Sequence, residues 1–366
     1  MHQGRRLLIS CWLSNRHLLV AIMLSLLSSL SQAVEAPKVI RIGVSSTGIG
    51  GRPILGGVVT GTVAVKGLLE AEFKADGITI EWNFNKGSGP QTNEQFANGQ
   101  IDFAWQGDLP SLIGRAARIK TRIILAGGRG GNLYLAVPTA SPAQNLHDLV
   151  GKRMVVSKGT ALQLFIGRIF DQYGLRESDF KTINLDTTAS MAAFVSGDID
   201  CLWGTTALFD LRDRGVVRFI YSTREPSPDP AKPTPTVQTV VLVGDEFERN
   251  HPDIVQRVVN VFVREADWAS RPENRDEVFA LWARSGTPAE HYRAEFGDQP
   301  LAKRLSPVLD AEYLAAYQRS AESALNYRLI RSPVNVADWP APQYAARALR
   351  ELGLESRWAP TTTGTP

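Results

Sequence analysis

The residues best suited to chemistry in this sequence are uncharged donors placed just after apolar runs. The run 39–45 ends in Ser45-Ser46-Thr47-Gly48-Ile49-Gly50-Gly51-Arg52, and 78–84 leads into Lys86-Gly87-Ser88-Gly89-Pro90. A third run ends in Gln106-Gly107-Asp108. Further on, Ser157-Lys158-Gly159-Thr160, Asp186-Thr187-Thr188 and Gly204-Thr205-Thr206 repeat the pattern. Glycine lets backbone approach a bound molecule closely. Free N–H groups at a helix start, helped by the helix dipole, favour an anion. Hydroxyls add donors without adding charge, so several such ends facing one cleft would hold a small oxyanion. Each Ser or Thr is equally suited to capping its own helix, and it is the repetition along the chain that points to a ligand.

Two arginines stand in glycine-rich turns near strand ends, Arg52 and Arg129, the latter within Gly127-Gly128-Arg129-Gly130-Gly131 between two strands. A guanidinium offers a planar donor fork for sulfonate, sulfate, phosphate or carboxylate; the alternative for each is a surface ion pair. Trp105 and Trp203 either wall an organic ligand or fill a core. Asp108 either meets a positive group or caps its helix. Patterns that announce an enzyme are missing. Beyond the first 36 residues the only histidines are His147, His251 and His291, and no H-E-x-x-H, C-x-x-C or G-x-S-x-G occurs. The spacing of Gly48-Ile49-Gly50-Gly51 departs from a dinucleotide fingerprint, so no cofactor is expected.

The elements that must position these ends alternate between strand and helix. Strands are expected at 39–45, 78–84, 101–105, 121–126 and 133–137, with helices at 58–73, 91–97 and through Leu112 and Ala116. A second series places strands at 154–157, 182–185, 200–203 and 217–221, and helices at 161–173, 190–195 and 208–214. Residues 225–235 are proline-rich and read as a loop, 237–243 as a strand, and 254–268, 276–283 and 311–327 as helices. Alternation of this kind implies parallel-dominated sheets covered by helices on both faces. The expected organisation is two lobes: 38–133 with 237–350 forming the first and 134–236 the second. The chain would cross near 133–137 and 237–243, and 351–366 would be a C-terminal tail.

Charge and composition exclude some functions. The formal net charge is +3, but Arg5, Arg6 and Arg16 precede any acidic residue, and without them basic and acidic residues number 37 each. A neutral body lacks the basic face that nucleic acid requires. Those arginines, the apolar run 18–30 and Ser31-Gln32-Ala33 read as a cleaved secretory leader over 1–33, an apolar core too short to anchor the chain in a bilayer. The expected location is therefore the periplasm. Cys11 leaves with the leader, and Cys201 sits in a strand-like run as a small core residue.

Together these pieces resemble a known family. Ile40-Arg41-Ile42-Gly43-Val44, Ser88-Gly89-Pro90, Asn98-Gly99-Gln100-Ile101-Asp102-Phe103 and Gly107-Asp108-Leu109-Pro110 occur in order. They are followed by Asn145-Leu146-His147-Asp148-Leu149-Val150-Gly151-Lys152, Val156-Ser157-Lys158-Gly159-Thr160 and Ala193-Phe194-Val195-Ser196-Gly197-Asp198-Ile199-Asp200. Over 39–268 the chain resembles the solute-binding proteins of ABC transporters for aliphatic sulfonates, taurine and nitrate. The resemblance implies an α/β, two-lobed periplasmic-binding-protein (type II) fold, hinged on two crossing strands and helical towards the C-terminus. It implies a monomer that takes a small anion between the lobes, on turns matching Ser45–Ser46, Ser88–Gly89, Gly107–Asp108 and Gly159–Thr160, and delivers it to an inner-membrane permease. Two departures stand out: the glycine-rich loop 48–57 with Arg52, and Trp203-Gly204-Thr205-Thr206 where many members have Asp-Pro. With the glycines around Arg129 they look most like the branch that binds sulfate esters. The alternatives are a receptor for nitrate or another small anion, and an enzyme on the same fold related to thiamine-pyrimidine synthesis.

Overall fold

The computed structural model describes residues 35–48, 53–227 and 233–359. From Lys38 onward the chain forms one unit, built on a five-stranded sheet in the order β2-β1-β3-β10-β4. Its first half runs β1 (Val39–Val44), α1 (Val59–Val65), α2 (Leu68–Phe73), β2 (Thr79–Phe84), α3 (Ser88–Ala97), β3 (Phe103–Gly107), α4 (Asp108–Ala116) and β4 (Thr121–Gly131). β1 lies between β2 and β3, parallel to both. Its apolar run follows from that central place, with Ile40 and Ile42 packed in the larger core.

The chain then leaves this sheet. β5 (Tyr134–Pro138) is the middle strand of a second sheet, flanked by β8 (Leu202–Gly204) and β9 (Val217–Ser222). Between them come β6 (Arg153–Val155), α5 (Ala161–Gln172), β7 (Lys181–Ile183), α6 (Thr187–Val195) and, after β8, α7 (Phe209–Asp213). The return strand β10 (Val237–Gly244) enters the first sheet between β3 and β4. Helices follow: α8 (Asp245–Asn250), α9 (Pro252–Ala269), α10 (Arg275–Ala283), α11 (Ala289–Phe296), α12 (Leu301–Leu305), α13 (Ala311–Asn326) and α14 (Pro342–Leu352). α9 buries Val255, Val258, Val259, Phe262, Val263 and Ala266, the three- and four-residue spacing of one helix face. That face belongs to the same core as Ile40, Val63 and Ala345.

Several expectations need correction. The first sheet is mixed, because β10 is antiparallel to both β3 and β4; the second is antiparallel throughout, with β5 opposing both β8 and β9; and β6 and β7 form a separate parallel pair. A chain that visits a second sheet and comes back re-enters the first in the opposite sense. The glycine stretch 127–131 is not a turn between strands; it is the end of β4, paired with β10. The helix expected at 58–73 is two helices, broken where Gly67 takes φ 62. Both crossings lie beside the expected segments and not within them, because Tyr134–Pro138 pairs only within the second sheet and Val237–Gly244 only within the first. The first crossing is Asn132 and Leu133, tied to the returning chain by Leu133 N–H to the Thr223 hydroxyl (3.0 Å) and Thr223 N–H to the Leu133 carbonyl (3.1 Å). Residues 351–359 are not a free tail: α14 ends at Leu352, Arg357 donates to Asp267 at 2.8 Å, and the Trp358 indole donates to the Ala302 carbonyl at 3.1 Å. Residues 1–33 and the last seven residues lie outside those described. Among the described residues no helix is long and apolar enough to cross a membrane.

Candidate functional site

Three helices begin where the sequence places its serine–glycine turns. α3 starts at Ser88 after Gly87, α4 at Asp108 after Gly107, and α5 at Ala161 after Thr160, and in none does the preceding residue cap the helix with a side chain. The hydroxyls are occupied elsewhere. Ser45 Oγ donates to Thr92 Oγ1 (2.9 Å), Ser46 Oγ accepts from Gly48 N–H (3.1 Å), and Thr160 Oγ1 donates to the Ser157 carbonyl (2.7 Å). Thr160 stands at the N-cap of α5 without capping it. The same fold caps helices elsewhere: Asp186 accepts from Ala189 N–H and Asp310 from Tyr313 N–H. Side chains within the three helices still take one N–H at each start, Gly87 on Gln91 (2.9 Å), Leu109 on Asp108 (2.8 Å) and Gly159 on Gln163 (2.9 Å), and the other N–H groups of each first turn are left for a ligand.

Glycine brings the three starts together. A Cβ placed on Gly107 would lie 2.6 Å from the Ala161 Cβ, and one on Gly89 would overlap Pro110 and lie 3.4 Å from the Gly159 carbonyl. Gly159, at φ 72, faces Pro90 in the same way, at 3.1 Å. α3 and α4 flank the first sheet while α5 comes from the chain's excursion into the second, so positive helix ends from both meet at glycine-lined backbone. Such ends repel each other and are stabilised by an anion.

The charged candidates have other fates. Arg129 Nη1 pairs with Asp310 at 2.7 Å, Nε donates to the Ser306 carbonyl at 3.2 Å, Nη2 donates to the Val308 carbonyl, and the guanidinium stacks 4.8 Å from the centre of the Tyr313 ring. All of its nitrogens are committed to the segment ahead of α13, so Arg129 is a clamp on the C-terminal helices. Asp108 turns inward, accepting from Leu109 N–H (2.8 Å) and Ser320 Oγ (2.8 Å). Trp203 faces the second core, its indole N–H on Met154 Sδ (3.2 Å) and its ring against Phe170 and Tyr221. Trp105 is half-buried and donates to the Gly127 carbonyl (3.2 Å). Lys158 is exposed; its backbone N–H donates to Asn184 Oδ1 (2.9 Å). Arg52 lies outside the described residues.

Burial pushes the Asp108 carboxyl above its ordinary 3.8, against the opposing pull of Ser320, the Leu109 N–H and nearby Arg168. A carboxyl raised on folding holds its proton more tightly folded than unfolded. The associated stabilisation is complete below the unfolded value and is lost as pH rises through the folded one. Asp108→Asn should therefore gain stability relative to wild type as pH climbs from about 3.5 towards neutrality. Denaturant unfolding across that range checks this, and a wild-type-minus-variant difference flat in pH would refute it.

Sequence reasoning missed a buried network at the crossing. Glu295 of α11 accepts from Asn132 Nδ2 (2.8 Å), the Tyr134 hydroxyl (2.6 Å) and Arg304 (3.3 Å). His291, one turn earlier, is buried and meets Asp213 of α7 at 2.9 Å. The four-residue spacing of His291 and Glu295 puts both on one face of α11, but a short polar helix gave no sign of what that face meets. Nothing in the sequence pointed to Thr239, whose buried hydroxyl has no hydrogen-bond partner among the described residues.

Two sheets exchanged by a double crossing, with helix starts meeting between them, define the α/β fold of periplasmic binding proteins. Residues 73–274, more than half of the chain, match the family described as NMT1/THI5 like, and the chain belongs to that family. A solved structure from Methylobacillus flagellatus KT, named as a periplasmic sulfonate-binding protein of an ABC transporter, is 29% identical with a TM-score of 0.73, covering 91% of this chain and all of that one. A Bacillus subtilis (strain 168) protein named for binding aliphatic sulfonates is 26% identical over 78% of this chain and 83% of its own. A desulfurization enzyme solved as a cysteine-to-serine variant with biphenyl-2-sulfinic acid shares the fold, with a TM-score of 0.62 at 20% identity, covering 86% of this chain and 99% of that one.

Proposed function

We propose that this protein is the periplasmic receptor of an ABC importer and carries a small organic sulfonate or sulfate ester between its two sheets. The observation that carries the reading is the meeting of the α3, α4 and α5 starts at Gly89, Gly107, Gly159 and Ala161. Its neutral donors suit a sulfonate or sulfate head, which stays anionic across the physiological pH range. The names of the sulfonate-binding relatives point to the same ligand class. On this reading the leader over 1–33 directs export, the two lobes hinge at Asn132–Leu133 and the returning chain, and a membrane permease receives the ligand. The receptor acts as a monomer and has no use for nucleic acid.

The enzyme reading is weaker on one specific point. The desulfurization relative was captured with a cysteine replaced, whereas Cys201 is buried and its thiol is pushed up to about 12, chiefly by desolvation. A thiol so placed supplies no thiolate near neutral pH. A thermal-shift panel of alkanesulfonates, sulfate esters, nitrate and thiamine precursors tests the proposal. A sulfonate or sulfate ester at a hundred times its dissociation constant should add about 2.7 kcal/mol of stability, and mass spectrometry should recover it unchanged. Stabilisation by nitrate or a thiamine precursor alone, or turnover of the ligand, would refute it.

A further inference from the structure

Thr239 is the third residue of β10, at the end of the first sheet where the α4 start lies. It pairs across the sheet with Gly107 on β3 and with Gly128 on β4. Residues directly opposite in neighbouring antiparallel strands present their side chains to one face. On that face the threonine therefore stands between two positions that carry no side chain. The flanking space is shaped by the helix starts: Ala161 of α5 lies against Gly107, and Val58, just ahead of α1, lies 3.1 Å from where a Gly128 Cβ would be. The hydroxyl is close to the Gly128 side, with Oγ1 2.9 Å from that position.

Thr239 is 8% exposed, and Oγ1 has no hydrogen-bond partner among the described residues. Its backbone carbonyl is satisfied by the Tyr313 hydroxyl, so only the side chain is left over. A buried hydroxyl without a partner destabilises a fold, and a methyl of the same shape would not. The packing of the described residues does not call for a hydroxyl here, whereas a bound acceptor would.

We infer that Thr239 is a further ligand-contacting residue, its hydroxyl donating to the anionic head of the bound molecule on the Gly128 side of β10. This rests on the receptor reading above and adds to it a residue from the return strand. The consequence is a trade between stability and binding at one position.

The test uses the full mature chain, with alkanesulfonates from methanesulfonate to octanesulfonate and phenyl sulfate as probes in titration calorimetry. Thr239→Val should weaken the best wild-type probe by about tenfold or more, as expected for loss of a bond to a charged acceptor. Its melting temperature without probe should be unchanged or a few degrees higher. Thr239→Ser, which keeps the donor, should bind within about threefold of wild type. Wild-type affinity in Thr239→Val would overturn the assignment. So would a melting temperature lowered by several degrees, or failure of that variant to fold, since either shows that the hydroxyl serves the fold. If wild type binds none of these probes, the receptor reading fails and this inference falls with it; if wild type binds and Thr239→Val binds equally, only the inference fails.

Discussion

Gly107→Val should weaken ligand binding by about 5- to 150-fold while leaving the unliganded protein close to its normal stability. Gly107 precedes α4 with φ −72 and ψ 170, a backbone that any residue adopts, so space and not conformation requires glycine here. A Cβ at this position would lie 2.6 Å from Ala161 Cβ and 3.7 Å from Ala161 Cα. Valine adds two further methyls at the first turn of α5. Overpacking of this kind costs roughly 1–3 kcal/mol, which is the stated range when it falls wholly on binding. It falls on binding if α5 can swing away from the first sheet in the unliganded protein and must approach to hold a ligand. Calorimetry and thermal melting on the same sample separate the cases. Unchanged affinity with a sharply lowered melting temperature would mean that α5 is seated permanently, and the proposed hinge would be wrong. Scattering offers a second check, since a hinged wild type should contract with ligand and the variant should contract less.

Arg129→Ala should destabilise the fold by about 2–4 kcal/mol and leave affinity unchanged in whatever protein remains folded. The side chain is 13% exposed and Asp310, its partner, 31%. Removing the guanidinium strands the Ser306 and Val308 carbonyls together with a partly buried carboxylate. Breaking a fully buried pair costs about 3–5 kcal/mol, reduced here because water reaches Asp310. Asp310 also caps α13 by accepting from Tyr313 N–H at 2.8 Å, so the loss reaches the start of a sixteen-residue helix. Arg129→Lys should recover only part of the stability, because an ammonium cannot serve the carboxylate and two carbonyls in the geometry of a planar fork. Asp310→Asn, which keeps the cap and loses the charge, should fall between wild type and Arg129→Ala. Guanidinium unfolding with an unchanged m-value reads these differences. A loss under about 0.5 kcal/mol in Arg129→Ala would show that the clamp is dispensable, as for an ordinary surface residue.

Much of this protein is legible without coordinates, and the reason is local. The apolar runs of β1, β5 and β10 and the three- and four-residue spacing in α9 specify strands and helix through near neighbours alone. The turns at Ser88–Gly89, Gly107 and Gly159–Thr160 mark helix starts because serine, threonine and glycine suit such positions whatever surrounds them. Alternation of elements implies an α/β fold, and the solved relatives share it.

What could not be read depends on partners distant along the chain. Arg129 looks like a ligand arginine until Ser306, Val308 and Asp310, nearly two hundred residues later, close around it. Asp108 meets Ser320 across 212 positions, and Glu295 reaches back to Asn132 and Tyr134. The antiparallel insertion of β10 decides where Thr239 lies, because the return path and not the strand's own residues chooses its neighbours. Residue type and spacing settle which elements form and which end of each strand is polar, since both follow from backbone sterics and apolar periodicity. Whether a given charge or hydroxyl faces a ligand or a carbonyl is settled only by packing, since desolvation and hydrogen bonding act on whatever the fold brings within about 3 Å.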